Sequence, residues 1–307
     1  MPMRQVAMKA WIVYGLMTLI SAMGTAAQPA ERPLRVLCIG AHPDDCEVKM
    51  GGTAALYAAM GHQVKFISVT NGDAGHYAQG GGLLAERRRA EAQEAARRLG
   101  IAAYEVLDYH DAELVPSLEV RKQLIRKIRE WQADLVFAPR PNDYHPDHRY
   151  TGQLVQDAAY LVMVPNVASD VPALRHNPVF LYLSDHFQKP NPFTPDIAVA
   201  IDEVVGRKLE ALDAHVSQFY EWLPWIDGRL EEVPADPVAR REWLRQAWLE
   251  QPLTDHVRAA LARWYGPETA ARVRYAEAFE ICEYGHQPTE AEIRRLFPML
   301  GQPVEQH

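Results

Sequence analysis

The chain has 307 residues, of which 48% are hydrophobic and 23% are charged, and this is typical of a globular protein with one large domain or two smaller ones. Its formal net charge of −8 argues against a protein that binds nucleic acid or anionic membranes through a basic surface. Three cysteines, Cys38, Cys46 and Cys282, are too few to predict a disulfide framework.

The N-terminal segment has the pattern of an export signal. Arg4 and Lys9 precede an apolar stretch at 10–23, and small residues follow at 24–27. The apolar stretch is short for a membrane-spanning helix, which needs about 20 residues. We therefore expect residues 1–30 to be a cleaved signal peptide, with an uncleaved anchor and a misassigned start as the alternatives. A cleaved signal places the protein in a periplasm or outside the cell, and stable membrane insertion is expected only if the segment is retained.

Predicted strands and helices alternate from residue 34 onward. Strands are predicted at 34–40, 63–70, 104–107, 134–138, 179–183 and 197–201, and helices at 52–60, 83–99, 118–131, 145–160 and 203–216. This alternation predicts an α/β domain over 31–220, with a Rossmann-like, mostly parallel sheet that carries helices on both faces.

The pattern changes at about residue 221, after which no strand is predicted. Tryptophans occur here among charged, helix-forming residues, at Trp222, Trp225, Trp243, Trp248 and Trp264. We expect residues 221–307 to be a C-terminal helical extension that packs on the α/β domain. The tryptophans are expected to be core or docking residues, and a sugar-stacking surface is the alternative.

Two clusters of acidic residues and histidines directly follow predicted buried strands. The sequence AHPDDCE at 41–47 follows the first strand, and HPDH at 145–148 follows the strand at 134–138. The carboxyl ends of parallel strands meet at one edge of a sheet, so the two clusters can form one site. Either cluster alone could equally be a polar loop that caps a helix, and it is their pairing that favours a site. Gly52 and Thr53 lie just beyond the first cluster, where we expect them to open a helix whose amides face the site.

His42, Asp45 and His148 are the candidate metal ligands. Two imidazoles and one carboxylate suffice for a catalytic zinc ion that keeps an open coordination position. The same donor set also suits iron and other divalent ions. Cys46 as a fourth ligand is disfavoured, because it would fill the open position.

The remaining residues of the two clusters are free to catalyse a hydrolysis. Asp44 can take a proton from a water molecule as a general base, while its neighbour binds the metal. His145 can stabilise a developing negative charge or protonate a leaving amine. Asp147 can hold His145 in its orientation, and a helix N-cap is an equally weighted alternative.

Five motifs, in order, resemble those of the PIG-L/LmbE-type N-acetylglucosaminyl deacetylases. The resemblance extends over about 34–220 and rests on His42-Pro43-Asp44-Asp45-x-Glu47 with Gly51-Gly52-Thr53, Thr70-Asn71-Gly72-Asp73-Ala74-Gly75, Arg88-x-x-Glu91, His145-Pro146-Asp147-His148, and Ala211-Leu212 with His215-x-Ser217-Gln218. The resemblance implies that His42, Asp45 and His148 bind Zn²⁺, that Asp44 is the general base, and that His145 is the acid or electrophilic partner.

The resemblance also implies roles outside the two clusters. Arg88 is expected to reach the sugar, and Asp111 falls where the family often has an acidic residue near it. His215 is expected at the rim of the site or against a neighbouring subunit, so the sequence allows a homo-oligomer. Two positions depart from the commonest pattern. Glu47 is displaced by one position and is expected to be structural, and Tyr144 stands where some relatives have arginine, which disfavours an acidic aglycone.

These observations predict a metal-dependent hydrolase that removes the N-acetyl group from an N-acetylglucosamine-type conjugate or glycan, with that amino sugar as its partner. One alternative keeps the metal and hydrolyses a non-sugar amide or a different conjugate bond. The other is an exported, non-catalytic carbohydrate-binding protein with Trp222, Trp225 and Trp243 as its stacking surface.

Overall fold

A computed structural model describes residues 32–301, which build a mostly parallel sheet of seven strands. In chain order the strands are β1 Arg35–Gly40, β2 Gln63–Thr70, β3 Ala103–Tyr109, β4 Leu135–Ala138, β5 Val179–Leu183, β6 Ile197–Ala200 and β7 Ala276–Gly285. Their order across the sheet is β3-β2-β1-β4-β5-β7-β6. The first five strands of this order pair in parallel, and β7 pairs antiparallel with both of its neighbours.

Helices connect these strands and continue beyond them. They are α1 Asp45–Ala59, α2 Gly81–Leu99, α3 Leu118–Trp131, α4 Pro146–Leu161, α5 Val205–Ala214, α6 Leu223–Ile226, α7 Pro237–Trp248, α8 Asp255–Tyr265, α9 Pro267–Arg272 and α10 Glu290–Leu296, with a π-helical turn at Ser217–Trp222 and a 3₁₀ turn at Leu230–Glu232. The predicted elements up to residue 216 are confirmed, and the largest difference in bounds is that α1 begins at Asp45, inside the first cluster.

Each face of the sheet buries its own hydrophobic core, because alternate residues of a strand point to opposite faces. Val36 and Cys38 of β1 contribute to a core that includes side chains of α1, α2, α5 and α10. Leu37 and Ile39 contribute to a second core with α3 and α4. The predicted Rossmann-like sheet with helices on both faces is therefore confirmed.

The prediction that no strand lies beyond residue 221 is wrong. Strand β7 enters the sheet between β5 and β6, so the C-terminal part of the chain contributes to the sheet as well as to the helices that pack on it. The sequence of β7, Ala-Glu-Ala-Phe-Glu-Ile-Cys-Glu-Tyr-Gly, has a partial alternation of apolar and polar residues and ends at a glycine. This signal is weak beside the surrounding helical pattern.

The C-terminal tryptophans differ in their environments. Trp264 is buried in the core that α1 and α2 share. Trp248 packs edge-on against Phe219, at 4.9 Å between ring centroids. Trp225 is 46% exposed and stacks between Trp222 and Tyr77. These tryptophans therefore make internal contacts, as expected of core and docking residues.

The predicted signal peptide at 1–30 lies outside the described residues. Among residues 32–301, no helix combines the length and the apolar composition needed to cross a bilayer.

Phe279→Ala tests whether β7 is part of the core. Phe279 is fully buried and packs against Phe137 with 4.8 Å between ring centroids. Truncation should lower the free energy of unfolding by about 4 kcal/mol, because it removes transfer energy and leaves a cavity. Tyr284→Ala on the same strand is the control, since Tyr284 is 53% exposed and its loss should cost less than about 0.5 kcal/mol. Denaturant unfolding measures the free energy of unfolding of both variants. Equally small decreases in the two variants would contradict a core position for β7.

Candidate metal centre

The two acid-and-histidine clusters lie at the point where the strand order reverses. Strand β1 is flanked by β2 on one side and β4 on the other, and all three run in parallel. The loops after β1 and β4 therefore meet at one edge of the sheet, which is where α/β proteins of this type bind ligands. The clusters leave these loops at the starts of α1 and α4.

The three predicted metal ligands face one another. His42 Nδ1 lies 3.1 Å from His148 Nε2 and 3.7 Å from Asp45 Oδ2, and His148 Nε2 lies 3.3 Å from Asp45 Oδ1. Donor atoms on one tetrahedral zinc ion are about 3.3 Å apart, given bonds of about 2.0–2.1 Å. The two facing nitrogens match this spacing, and each lies near a different oxygen of the Asp45 carboxylate. The chemistry of this donor set suits a zinc ion.

Carboxylates hold the opposite nitrogen of each histidine. His148 Nδ1 lies 2.9 Å from Asp143 Oδ1, and His42 Nε2 lies 2.9 Å from Asp111 Oδ1. Such carboxylates fix the ring orientation of metal-binding histidines and raise their basicity. Asp143 was not predicted from the sequence, and its position two residues before the second cluster is the only signal for it.

A second group of donors uses the other side of His42. Ligand atoms of His42, Asp111, His145 and Asp147 all lie within 4.8 Å of one another, as do those of His42, His145 and His148. Asp45 belongs to neither of these two groups, so the set of His42, Asp45 and His148 stays a prediction. It is favoured by the carboxylates that lie against the remaining nitrogen of both of its histidines.

Asp44 lies beside the ligands in an unusual backbone conformation. Its φ of 153° and ψ of −25° are rarely adopted by a residue with a side chain, and such outliers concentrate at functional sites. Burial raises the pKa of Asp44 to about 6, against the opposing effect of the Arg88 charge. Asp44 therefore combines a constrained position with a pKa that suits a general base near neutral pH.

Arg88 is buried against this aspartate. It is only 2% exposed, and its Nη2 lies 3.3 Å from Asp44 Oδ2. Nη1 donates to the carbonyl of Gly72 at 3.2 Å. A Cβ on Gly72 would lie 2.5 Å from that guanidinium, and the φ of +72° there also favours glycine. The loop after β2 thus requires glycine where the Arg88 side chain passes. Contact of Arg88 with a sugar stays a prediction.

His145 is placed with its Nε2 available as a donor. Its Nδ1 accepts the backbone N–H of Asp147 at 3.2 Å, which assigns the proton of the neutral ring to Nε2. Burial, and then the charges of His42 and His148, lower the pKa of His145. His145 is therefore expected to act as a neutral donor near pH 7.

The Asp147 carboxylate is held by groups other than the His145 ring. Its Oδ2 accepts the amide of Ala112 at 2.7 Å and lies 3.3 Å from His42 Nε2. Asp147 contacts His145 through its backbone amide, so the role of its carboxylate in orienting that ring stays a prediction. The N-cap alternative for Asp147 is wrong, because the cap of α4 is the His145 side chain. Asp147 is fully buried, so its carboxylate connects the loop after β3 to the first cluster.

Asp111 lies at the site but is largely occupied by protein groups. It is 7% exposed, and its carboxylate is held by His42 and lies 3.7 Å from Arg88 Nη1. Its backbone amide donates to Asp73 Oδ1 at 3.0 Å. The structure thus brings Asp111 to the predicted place, and its contact with a sugar stays a prediction.

Two expectations about the surroundings of the first cluster are wrong. His215 does not reach the rim of the site, because it is fully buried with its Nε2 2.9 Å from Glu47 Oε1. The amides of Gly52 and Thr53 do not face the site, because the buried carboxylate of Glu277 accepts both of them. Glu47 is buried, as expected of a structural residue.

Comparisons with known proteins agree with this geometry. The sequence profile of the PIG-L family, described as GlcNAc-PI de-N-acetylase, matches residues 37–159. A diacetylchitobiose deacetylase of Thermococcus kodakarensis is 35% identical over 65% of this chain and 77% of its own length. A probable N-acetyl-alpha-D-glucosaminyl L-malate deacetylase 2 of Bacillus anthracis is 29% identical over 69% of this chain and 92% of its own length.

A solved structure is also similar. The N,N'-diacetylchitobiose deacetylase from Pyrococcus horikoshii aligns with a TM-score of 0.60 and 32% identity, covering 80% of this chain and 83% of that one. The family profile covers both acid-and-histidine clusters, and the alignments with the relatives cover 65% and 80% of this chain. The chain therefore belongs to the PIG-L/LmbE family of deacetylases.

Proposed function

We propose that the protein is a zinc-dependent hydrolase that removes the N-acetyl group from an N-acetylglucosamine-type sugar conjugate. The observation that carries this proposal is the convergence of His42, Asp45 and His148 at one edge of the sheet, with Asp44 directly beside them. A non-catalytic carbohydrate-binding protein would need neither the ligand set nor the adjacent carboxylate.

His42 Nδ1, His148 Nε2 and the Asp45 carboxylate are the groups that would hold the metal. Two backbone amides, those of Ala41 and His42, donate to Asp45 Oδ2 at 2.8 Å each and fix this carboxylate. A bound divalent ion supplies a Lewis acid and lowers the pKa of water. Three protein ligands leave a position open for this chemistry, as catalytic zinc sites require.

Asp44 carries the proton transfers, and His145 stabilises the developing charge. Asp44 takes the proton of the attacking water, and Arg88 at 3.3 Å keeps its carboxylate oriented. The neutral His145 donates its Nε2–H to the oxygen of the acetyl group, where negative charge develops. Cleavage of the C–N bond then requires a proton on the amine nitrogen, and Asp44 holds the proton that was taken from water.

The proposed substrate class follows from the names of the relatives and from the mouth of the site. The relatives are named for deacetylation of diacetylchitobiose and of an N-acetylglucosaminyl malate, which share an N-acetylated amino sugar. Arg88 and Asp111 are the buried polar groups proposed to meet the sugar hydroxyls. Tyr144 is 70% exposed beside the rings of His145 and His148 and would meet the part of the substrate beyond this sugar.

We also propose that the protein acts outside the cytoplasm, on the basis of the signal-like pattern of residues 1–30. The substrate would then be a sugar conjugate or glycan of the periplasm or the cell exterior.

Removal of metal should abolish acetate release. Purified protein that has been stripped with a chelator and dialysed should release no acetate from N,N'-diacetylchitobiose, and stoichiometric Zn²⁺ should restore the rate. Acetate is measured by a coupled enzymatic assay, with Mg²⁺ add-back as the control for a nonspecific salt effect. Full activity in protein that contains no metal by elemental analysis would refute the mechanism.

Asp44→Asn and Asp45→Ala should separate the base from the ligand. Asp44→Asn should keep zinc at native stoichiometry and lower kcat by about 10²–10⁴-fold, because the amide cannot take a proton. Asp45→Ala should lose zinc as well as activity, because it removes one of three ligands. Zinc content and kcat are measured on the same preparations, and a native kcat in Asp44→Asn would show that Asp44 is not the base.

Gly72→Ala should displace Arg88 from Asp44. Gly61→Ala is its matched control, because both glycines have positive φ, of +72° and +82°, but a Cβ on Gly61 meets nothing within 4 Å. Gly61→Ala should cost about 1 kcal/mol of stability and leave kcat unchanged. Gly72→Ala should cost about 3 kcal/mol and also lower kcat/KM, since the new Cβ meets the guanidinium. Equal effects of the two variants on unfolding and on kinetics would contradict this role of the Arg88 contact.

A further inference from the structure

A buried ion pair between α5 and β7 contacts the backbone of α1. Lys208 of α5 places its Nζ 2.7 Å from Glu277 Oε1 of β7, and the two side chains are 8% and 2% exposed. The same carboxylate accepts the amides of Gly52 at 2.9 Å and Thr53 at 2.6 Å. Neither charge takes part in the proposed reaction.

This ion pair spans a kink in α1. Met50 has φ −145° and ψ 20°, which divides α1 into a short first turn and a longer second segment. Glu277 accepts the N–H groups at the start of the second segment, which the helix itself leaves without partners. Lys208 Nζ donates to the carbonyl of Val48 at 2.8 Å, at the end of the first turn. The pair therefore supports the backbone on both sides of the kink.

The glycines at this point allow the close approach that the ion pair needs. A Cβ on Gly52 would lie 2.8 Å from Ile201, so any side chain would force α1 away from the strand end beside it. A Cβ on Gly51 would lie 3.5 Å from Lys208 Cγ, an ordinary contact. Gly52 thus keeps the backbone near enough for the Glu277 carboxylate to reach the amides.

A short series of hydrogen bonds leads from this pair to Asp44. The carbonyl of Val48 accepts from Lys208, and the amide of Val48 donates to the carbonyl of Asp44 at 3.0 Å. Asp44 has the unusual φ of 153°. A strained conformation persists only when its surroundings determine it. Those surroundings include the backbone at Val48, whose amide bonds Asp44 and whose carbonyl, in the next peptide group, bonds Lys208.

We propose that Glu277 is a positioning residue for the hydrolase, which acts through Lys208 and Val48 to hold Asp44 in its strained conformation. This inference rests on the proposed function, in which Asp44 is the base. It also gives the C-terminal strand a role in the site, although β7 contributes no group to the metal centre.

The test compares Glu277→Gln with Arg129→Lys. Glu277→Gln keeps the side-chain size but removes the charge and one acceptor. Arg129 is an equally buried cation, which donates to backbone carbonyls at the C-terminal end of α4. The site lies at the N-terminal end of α4, and the helix is about 24 Å long. Both substitutions should lower stability, and only Glu277→Gln should affect the site.

Glu277→Gln should lower kcat per folded, zinc-loaded molecule about tenfold and leave KM within about twofold. The substitution should disturb the position of Asp44, and it should leave the groups that bind the sugar in place. Amide hydrogen exchange at residues 44–48 should accelerate in this variant and not in Arg129→Lys. If Glu277→Gln does not fold, Lys208→Gln provides the same comparison from the other side of the pair.

Native kcat or native exchange at 44–48 in the folded variant would overturn the inference, whatever the loss of stability. If the native protein releases no acetate, the proposed function fails, and the exchange comparison then decides by itself whether Glu277 holds Asp44.

Discussion

The parallel pairing of β1 with β4 is the constraint on which the site depends. The register places Val36 beside Leu135 and Cys38 beside Phe137, so the two strands end at the same edge of the sheet. The clusters that follow them are more than 100 residues apart in sequence, yet His42 and His148 are 3.1 Å apart in space. Because alternate residues of these strands pack in opposite cores, a shift of one residue in register would exchange the two sets of core side chains and separate His42 from His148.

Carboxylates dominate the electrostatics of the resulting site. Asp111 and Asp147 raise the pKa of His42 to about 9, and Asp45 and Asp143 raise that of His148 to about 10, in both cases against the effect of burial. The field that favours a proton on each histidine also favours a divalent cation between them. Arg88 is the guanidinium in contact with Asp44, so it counters repulsion between the base and the carboxylates around it.

The sequence predicted the α/β core and the convergence of the two clusters, because both depend on local patterns: strand periodicity and motifs directly after strand ends. It did not predict β7, since a strand that joins the sheet from the end of the chain has no neighbouring βαβ pattern to identify it. The bonds of Asp147 to Ala112 and of Glu277 to the α1 amides were missed for a related reason, because they join segments that only the tertiary fold brings together.

The kink in α1 explains why the first cluster needs support from so far along the chain. In a straight helix that begins at Asp45, hydrogen bonds to the second turn would stabilise the first turn. The break at Met50 interrupts the helix between these two turns. The first turn is then a short segment that carries the proposed metal ligand Asp45 and follows a strained Asp44, and such a segment is marginal without tertiary contacts. Buried partners from α5 and β7 supply those contacts, so the C-terminal part of the chain belongs to the same functional unit as the motifs that define the family.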